Sequence, residues 1–353
     1  MDQSKSALRI DFIDYARGIA AMLVLLQHSL EAAGIVHLSP GGLGSSVVNF
    51  GETGVITFFL VSGYIIPFSL EKKGSVLQFW IGRVFRIYPM YLFAFAVACL
   101  TLFNFVHTGV VKSFLLHLVF IQEYVLRDPA DTVPNSWTLS LEMVWYILFS
   151  CLFLMRFNHK HVLISIGCVA VLLALTIFSC VTRHQIPIGR VGILATCVCG
   201  FLTYRWNNGQ ISSRSFMMLN GSIIAAIVVG LAARFYWLPD MGRSYDLTLR
   251  CVLTSWTLAY LLFFGFMAIR HSNVWGAGCL AWLGRISYSV YLVHPFFIYA
   301  AHRLELTGVM LIVFTFCMTV GASMLTYRFI ELPGISFGRR LFAEQPSKVL
   351  QNA

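Results

Sequence analysis

Val162-Leu-Ile-Ser-Ile-Gly-Cys-Val-Ala-Val-Leu-Leu-Ala-Leu-Thr-Ile-Phe-Ser-Cys-Val181 contains no charged residue. A helix needs about 20 mostly apolar residues to cross the hydrocarbon core of a bilayer, so this stretch reads as one membrane span. Working outward from it, nine more segments have similar length and character: 14–34, 50–70, 87–106, 137–155, 187–204, 215–234, 249–269, 282–301 and 308–328. The whole composition agrees, with 58% hydrophobic and 11% charged residues and a mean hydropathy of +0.77. A soluble domain carries about 25% charged residues, and this chain has too few to cover a water-facing globule of 353 residues. The expected fold is all-α, a polytopic integral membrane bundle of about ten transmembrane helices over residues 1–335. Residues 336–353 would form a short tail, and no polar block is long enough for a second, soluble domain.

The apolar segment 113–122 ends at Glu123 and is too short to span, so it reads as a re-entrant or interfacial piece. Treating it so gives an even number of spans, with both termini on one side. Eight of the 25 Lys and Arg residues (Lys112, Arg127, Arg183, Arg190, Arg234, Arg243, Arg250 and Arg303) then fall on the far side, and the rest on the side of the termini. The positive-inside bias therefore makes both termini cytoplasmic. No small-residue cleavage site follows the first apolar run, which reads as a retained helix and not a signal peptide. Most of the nine cysteines lie inside apolar runs, and no CxxC pair suggests zinc or a redox centre, so no metal site is expected. The formal charge of +10 comes without a basic stripe or an aromatic RNA-binding motif, which argues against nucleic acid. Membrane lipid is the expected surroundings. Nor do paired Gly/Pro-broken helices mark a secondary transporter.

Ionisable groups inside a bilayer cost several kcal/mol unless paired or hydrated, which makes each one a functional candidate. Arg17 and His28 lie eleven residues apart on one expected helix. Eleven steps of 100° return to within about 20° of the same face and climb about 16 Å. An acyl-CoA has matching polarity, with anionic phosphates that stay near water and a thin arm that reaches inward. The guanidinium fork suits the phosphates, and a largely neutral imidazole suits proton abstraction from a hydroxyl. The competing reading of His28 is a hydrogen-bonded core histidine. Glu142, in Asn135-Ser-Trp-Thr-Leu-Ser-Leu-Glu142, is expected at a similar depth to His28, where it would orient the imidazole; alternatively it pairs with an arginine at the rim. Arg83 and Arg86, in Arg83-Val-Phe-Arg86-Ile-Tyr-Pro89, share a helix face as a site for phosphates or as ordinary interfacial anchors. Pro89 is expected to interrupt the helix behind them. Tyr291 and His294, in Ser287-Tyr288-Ser-Val-Tyr291-Leu-Val-His294-Pro295, either line an acceptor cavity or bond across helices. Phe58-Phe59-Leu-Val-Ser62-Gly63-Tyr64 reads as close packing, and Glu331-Leu-Pro333 as the end of the last span.

Taken in order, these stretches resemble a known family. Arg17-Gly18-Ile-Ala followed by His28 is similar to the first-helix signature of the membrane acyltransferase-three family. The stretches at 58–65, 83–89, 137–142 and 288–295 look like its later landmarks, and the resemblance covers about residues 10–335. It implies ten transmembrane helices in the bacterial inner (cytoplasmic) membrane and transfer of an acyl group, usually acetyl, from cytoplasmic acyl-CoA to sugar hydroxyls. Acceptors are typically polysaccharides or lipid-linked sugars. By the resemblance His28, Arg17, Arg83 and Arg86 are the essential residues; Glu142 as a catalytic partner comes only from the residue reading above. The chain looks like the stand-alone form without a C-terminal esterase-like domain. Acyl-CoA would be a co-substrate, with no permanently bound cofactor and with polysaccharide-assembly proteins as candidate partners. The rival expectations are a transporter or flippase for lipid-linked glycan using His28 and Glu142 as a proton relay, and a structural or sensory subunit of a glycan-assembly complex.

Overall fold

A computed structural model describes residues 3–36, 47–101, 109–125, 133–184, 186–238, 248–270 and 276–343. All described elements are helices: α1 (Gln3–Ala32), α2 (Phe50–Lys73), α3 (Val76–Thr101), α4 (Val110–Leu118), α5 (Gln122–Val125), α6 (Ser136–Leu154), α7 (His161–Thr182), α8 (Ile188–Asn207), α9 (Ser213–Tyr236), α10 (Leu249–Ala268), α11 (Ala277–Arg303), α12 (Gly308–Thr326), a π turn (Tyr327–Glu331) and α13 (Leu332–Ala343). Helices satisfy their backbone polar groups internally, which is the condition lipid imposes. The ends of two expected segments, 102–106 and 344–353, lie outside the described residues.

Eight helices are long and apolar enough to cross a membrane: α2, α3, α6, α7, α8, α9, α10 and the continuous run from α12 into α13. The protein is a multi-pass membrane protein. The 30-residue α1 and the 27-residue α11 are long enough but fall outside that set of eight. The polar residues that dilute them include the candidates Arg17 and His28 on α1 and Tyr291 and His294 on α11, together with Asp14 and Gln27 on α1 and Arg285 and Tyr288 on α11. As expected for segment 113–122, α4 and α5 are short, nine and four residues.

The centre of the bundle is built from α1, α2, α8 and α11, with α1 packed on both α2 and α11, and α2 on α8. In α2 and α8, 78% of the apolar window is buried, against 22% in α7, which places α7 on the lipid-facing rim. Glycines allow the central approach. A Cβ on Gly284 would lie 2.1 Å from the carbonyl oxygen of Asp14, and one on Gly63 would lie 2.1 Å from that of Cys197. Gly63 thus packs as its motif suggested, and these contacts fix the spacing around the site described below.

Two sequence expectations need correction. Pro89 does not interrupt α3, which begins at Val76 and runs unbroken past it. A proline leaves the carbonyl four residues back without its helical donor, and neighbouring helices make this tolerable in membrane bundles. Here α13 docks at that spot: a Cβ on Gly334 would lie 2.6 Å from the Phe85 carbonyl oxygen and 2.8 Å from Pro89 Cγ, and the Phe85 and Phe337 rings meet edge to face at 5.2 Å. Likewise, Glu331-Leu-Pro333 does not end the last helix. The chain widens into the π turn, where the Leu332 N–H bonds the Tyr327 carbonyl, and continues as α13 to Ala343. The wider turn changes the register just before Pro333, so the missing N–H falls in the first turn of a new α segment. Residues 336–343 are therefore helical and packed on α3.

Candidate active site

Arg17 from α1, Arg83 and Arg86 from α3, and Glu142 from α6 line one cavity, with about 850 Å³ of empty space counted with the solvent at its mouth. That is within the size range of small-molecule sites. Arginines three apart on a helix share a face, so the continuation of α3 through Pro89 keeps both guanidinium groups aimed inward. The Arg83 guanidinium lies over the Phe79 and Tyr146 rings at 5.2 and 5.4 Å, a stacked arrangement that suits Arg better than Lys. Glu142 Oε1 accepts hydrogen bonds from Ser62 Oγ at 2.8 Å and from the Tyr146 hydroxyl at 2.7 Å. The π turn presents a further acid. Glu331 is buried, its Oε2 accepts from Ser289 Oγ at 3.1 Å, and Arg86 and Arg17 are the positive charges acting on it.

Among the described residues the ion pairs within 4.0 Å are Arg190–Glu123 and Arg205–Glu71. None of the three cavity arginines therefore has a carboxylate at salt-bridge distance. Three permanently charged forks line open space with Asp14, Glu142 and Glu331 acting on them only from beyond salt-bridge distance, and an anion of matching shape would complete them.

Toward its other end the cavity is lined by Phe58, Thr138 and Tyr291. The Thr138 and Tyr291 hydroxyls are 2.8 Å apart, and the Phe58 ring meets Tyr291 edge-on at 5.9 Å. Just beyond stands a histidine pair. His28 Nδ1 lies 2.9 Å from His294 Nε2, the rings are nearly parallel with centroids 5.2 Å apart, and the His294 ring is 6.0 Å from that of Tyr291. The cavity that begins at Arg17 therefore stops one side chain short of His28.

The model of the acyltransferase domain that defines the acyltransferase-three family matches residues 10–328. The chain belongs to the acyltransferase-three family. Among curated members, the acyltransferase MdmB of Streptomyces mycarofaciens is 28% identical over 151 residues, 40% of this chain and 38% of MdmB. Exopolysaccharide production protein ExoZ of Rhizobium meliloti is 25% identical over 70% of this chain and 76% of ExoZ. O-acetyltransferase OatA of Staphylococcus aureus is 23% identical over 92% of this chain and 59% of OatA. The chain thus spans less than two thirds of MdmB and of OatA. No solved structure matches it.

Within this acyltransferase-three chain, the structure gathers Arg17, Arg83, Arg86, Glu142 and Tyr291 around one cavity. It separates Glu142 from His28. The carboxylate expected to orient the imidazole is held by Ser62 and Tyr146 in the arginine chamber, and His28 bonds His294 instead. The physical reason is azimuth: residue counts set the depth of a group along its own helix and leave its rotation toward neighbours free. His294, expected either to line an acceptor cavity or to bond across helices, does the second: it is fully buried and bonds His28, Asn135 and the Val290 carbonyl. Sequence reading missed Tyr146, Asn135 and Glu331, and assigned Ser62 to packing. Tyr146 was findable, since it stands four residues from Glu142 on the same face. Glu331 was not, because acidic residues near Pro at the end of an apolar run ordinarily mark a terminus.

Proposed function

We propose that this protein is a membrane O-acyltransferase that moves an acyl group, acetyl in the first instance, from cytoplasmic acyl-CoA to a sugar hydroxyl of a surface polysaccharide or lipid-linked oligosaccharide. The observation that carries this reading is the cavity with three arginines free of close carboxylates, beside a paired histidine. The names of the relatives, which include an O-acetyltransferase and an exopolysaccharide production protein, agree with it. We place the protein in the bacterial inner membrane with ten spans, α1 and α11 included, both termini cytoplasmic and the Arg83–Arg86 end of the cavity facing the cytoplasm.

In this reading the nucleotide phosphates dock on Arg83 and Arg86, and Arg17 steadies polar groups of the pantetheine arm. Glu142 and Tyr146 set the shape of the chamber and hold Arg83 in place. The thioester passes Thr138 and Tyr291 to reach His28. There the imidazole takes the proton of the acceptor hydroxyl, and the oxygen forms a bond to the thioester carbonyl carbon. The carbon–sulfur bond breaks, and the CoA thiolate recovers the proton from His28, so that the ring is neutral again for the next cycle. A positioned general base contributes ~10²–10⁴-fold in rate.

The test is mass spectrometry of surface glycans from a deletion strain, the same strain complemented with the wild-type gene, and one complemented with His28→Ala. An acyl mass present only with the wild-type gene supports the reading and names the acceptor. Full acylation with His28→Ala contradicts it. Acyl-CoA-independent flux of a lipid-linked glycan through reconstituted protein would establish a transporter in its place.

A further inference from the structure

We infer that His294 is a positioning residue for His28: it fixes the tautomer that leaves His28 Nε2 as the proton acceptor, and it stabilises the ring once that nitrogen is protonated. The inference rests on the acyl-transfer reading above, and assigns a role to a residue that the cavity does not touch.

The assignment begins at a backbone carbonyl. His294 Nδ1 lies 3.1 Å from the Val290 carbonyl oxygen, which only accepts hydrogen bonds. Nδ1 of His294 therefore carries the proton. Its Nε2 faces two further groups, the side-chain amide of Asn135 at 3.1 Å and His28 Nδ1 at 2.9 Å. The Asn135 Nδ2 is a donor, so a proton on His294 Nε2 would set donor against donor. His294 Nε2 is thus the unprotonated nitrogen, and His28 must donate to it from Nδ1. Once Nδ1 of His28 carries the proton, the lone pair of a neutral ring sits on Nε2. Among the described residues nothing hydrogen-bonds that atom.

Backbone placement supports the arrangement from both sides. Asn135 caps α6 with φ 62° and ψ 7°, a left-handed conformation that non-glycine residues rarely hold and Asn tolerates best. Such conformations persist where surrounding structure over-determines them, as at functional sites. The Asn135 carbonyl accepts from Thr138 Oγ1 at 3.0 Å, which keeps the turn and its amide in place. On the other side, Pro295 follows His294 directly inside α11.

The chemistry asks for such a partner. When His28 Nε2 takes the hydroxyl proton, positive charge spreads over the ring and the Nδ1–H becomes a charge-assisted donor, shorter and stronger than a neutral one. The lone pair of His294 is already aimed at it, so no reorganisation accompanies proton transfer. A carboxylate in that place would pair with the imidazolium and hold its proton; a neutral imidazole releases it readily to the leaving thiolate.

The experiment measures initial rates of label incorporation from radiolabelled acetyl-CoA into membranes that carry the endogenous acceptor. Wild type, His28→Ala, His294→Leu, His294→Gln and the His28→Ala/His294→Leu double variant are compared at equal protein amounts. A glutamine keeps an acceptor oxygen for the His28 Nδ1–H, and leucine removes it. The expected result is a maximum rate about 100-fold lower in His294→Leu with the KM for acetyl-CoA within about twofold, and His294→Gln within about tenfold of wild type. The double variant should match His28→Ala alone, because a positioning residue has nothing left to position. A wild-type rate in His294→Leu beside an inactive His28→Ala would overturn the inference and leave the acyl-transfer reading standing. Glutamine as damaging as leucine would also overturn it. Full activity in His28→Ala would overturn the acyl-transfer reading itself.

Discussion

Two arginine clusters in the same bundle have opposite bonding. Arg205 of α8 is 2% exposed, and its terminal nitrogens are filled. They donate to both carboxylate oxygens of Glu71, to the Asn158 carbonyl at 2.7 Å and to Gln210 Oε1 at 2.6 Å. Tyr204 and Asn158 add hydrogen bonds to the same carboxylate at 3.0 and 2.8 Å. Arg17, Arg83 and Arg86 surround a cavity, and among the described residues no carboxylate lies within 4.0 Å of any of them. The first cluster ties the end of α2 to the end of α8 and has no room for a ligand. The second leaves its charge for something else to complete. The residue type is the same in both, so it is close pairing with a carboxylate that separates a structural charge from a functional one.

The contrast can be broken or sharpened by substitution. His28→Ala, next to the open cluster, should lower acyl incorporation by ~10²–10⁴-fold while CoA binding and the melting temperature stay put, as loss of a general base does. Arg205→Met should do the reverse. Removing one partner of a buried pair strands the other, at a cost of about 3–5 kcal/mol, so thermal unfolding in detergent should fall steeply while the KM for acyl-CoA in the protein that remains folded is unchanged. Arg83→Lys and Arg86→Lys keep the charge and lose the planar fork. Each should raise the KM for acyl-CoA by ~10–100-fold, the equivalent of a charge-assisted hydrogen bond of about 1.5–3 kcal/mol. The smallest effect is expected at Glu123→Gln. Its partner Arg190 is 3.5 Å away and 42% exposed, so loss of the pair should shift stability by less than about 1 kcal/mol in a urea titration.

The fold was legible because it rests on composition. Twenty apolar residues in a row admit few alternatives to a helix, and within the described residues each expected span falls on one, eight of them on helices long and apolar enough to cross a membrane. The third span was expected to begin at residue 87 because a hydropathy reading starts after the charges, whereas the helix that carries it begins at Val76 and holds Arg83 and Arg86 on it. The arginine chamber was legible for a related reason: charges among apolar residues stand out one by one, and Arg17, Arg83 and Arg86 did meet, although Glu142, expected beside His28, joined them instead. What each of them touches was not legible. Tyr291 and His294 share a helix face, yet one lines the cavity and the other turns to His28, a difference set by the close approach of α1 and α11 around Gly18 and Gly284. Ser62 looked like a small packing residue because Gly63 beside it is one, and only the position of α6 shows that its hydroxyl holds Glu142.

The most direct test of the central claim is equilibrium binding of CoA to the purified, detergent-solubilised protein, comparing wild type with Arg83→Ala/Arg86→Ala. The account predicts saturable binding that weakens with added salt and is at least about tenfold weaker in the double variant at an unchanged melting temperature. Equal CoA affinity in the two proteins would contradict the account, since the open arginines would then hold no phosphate.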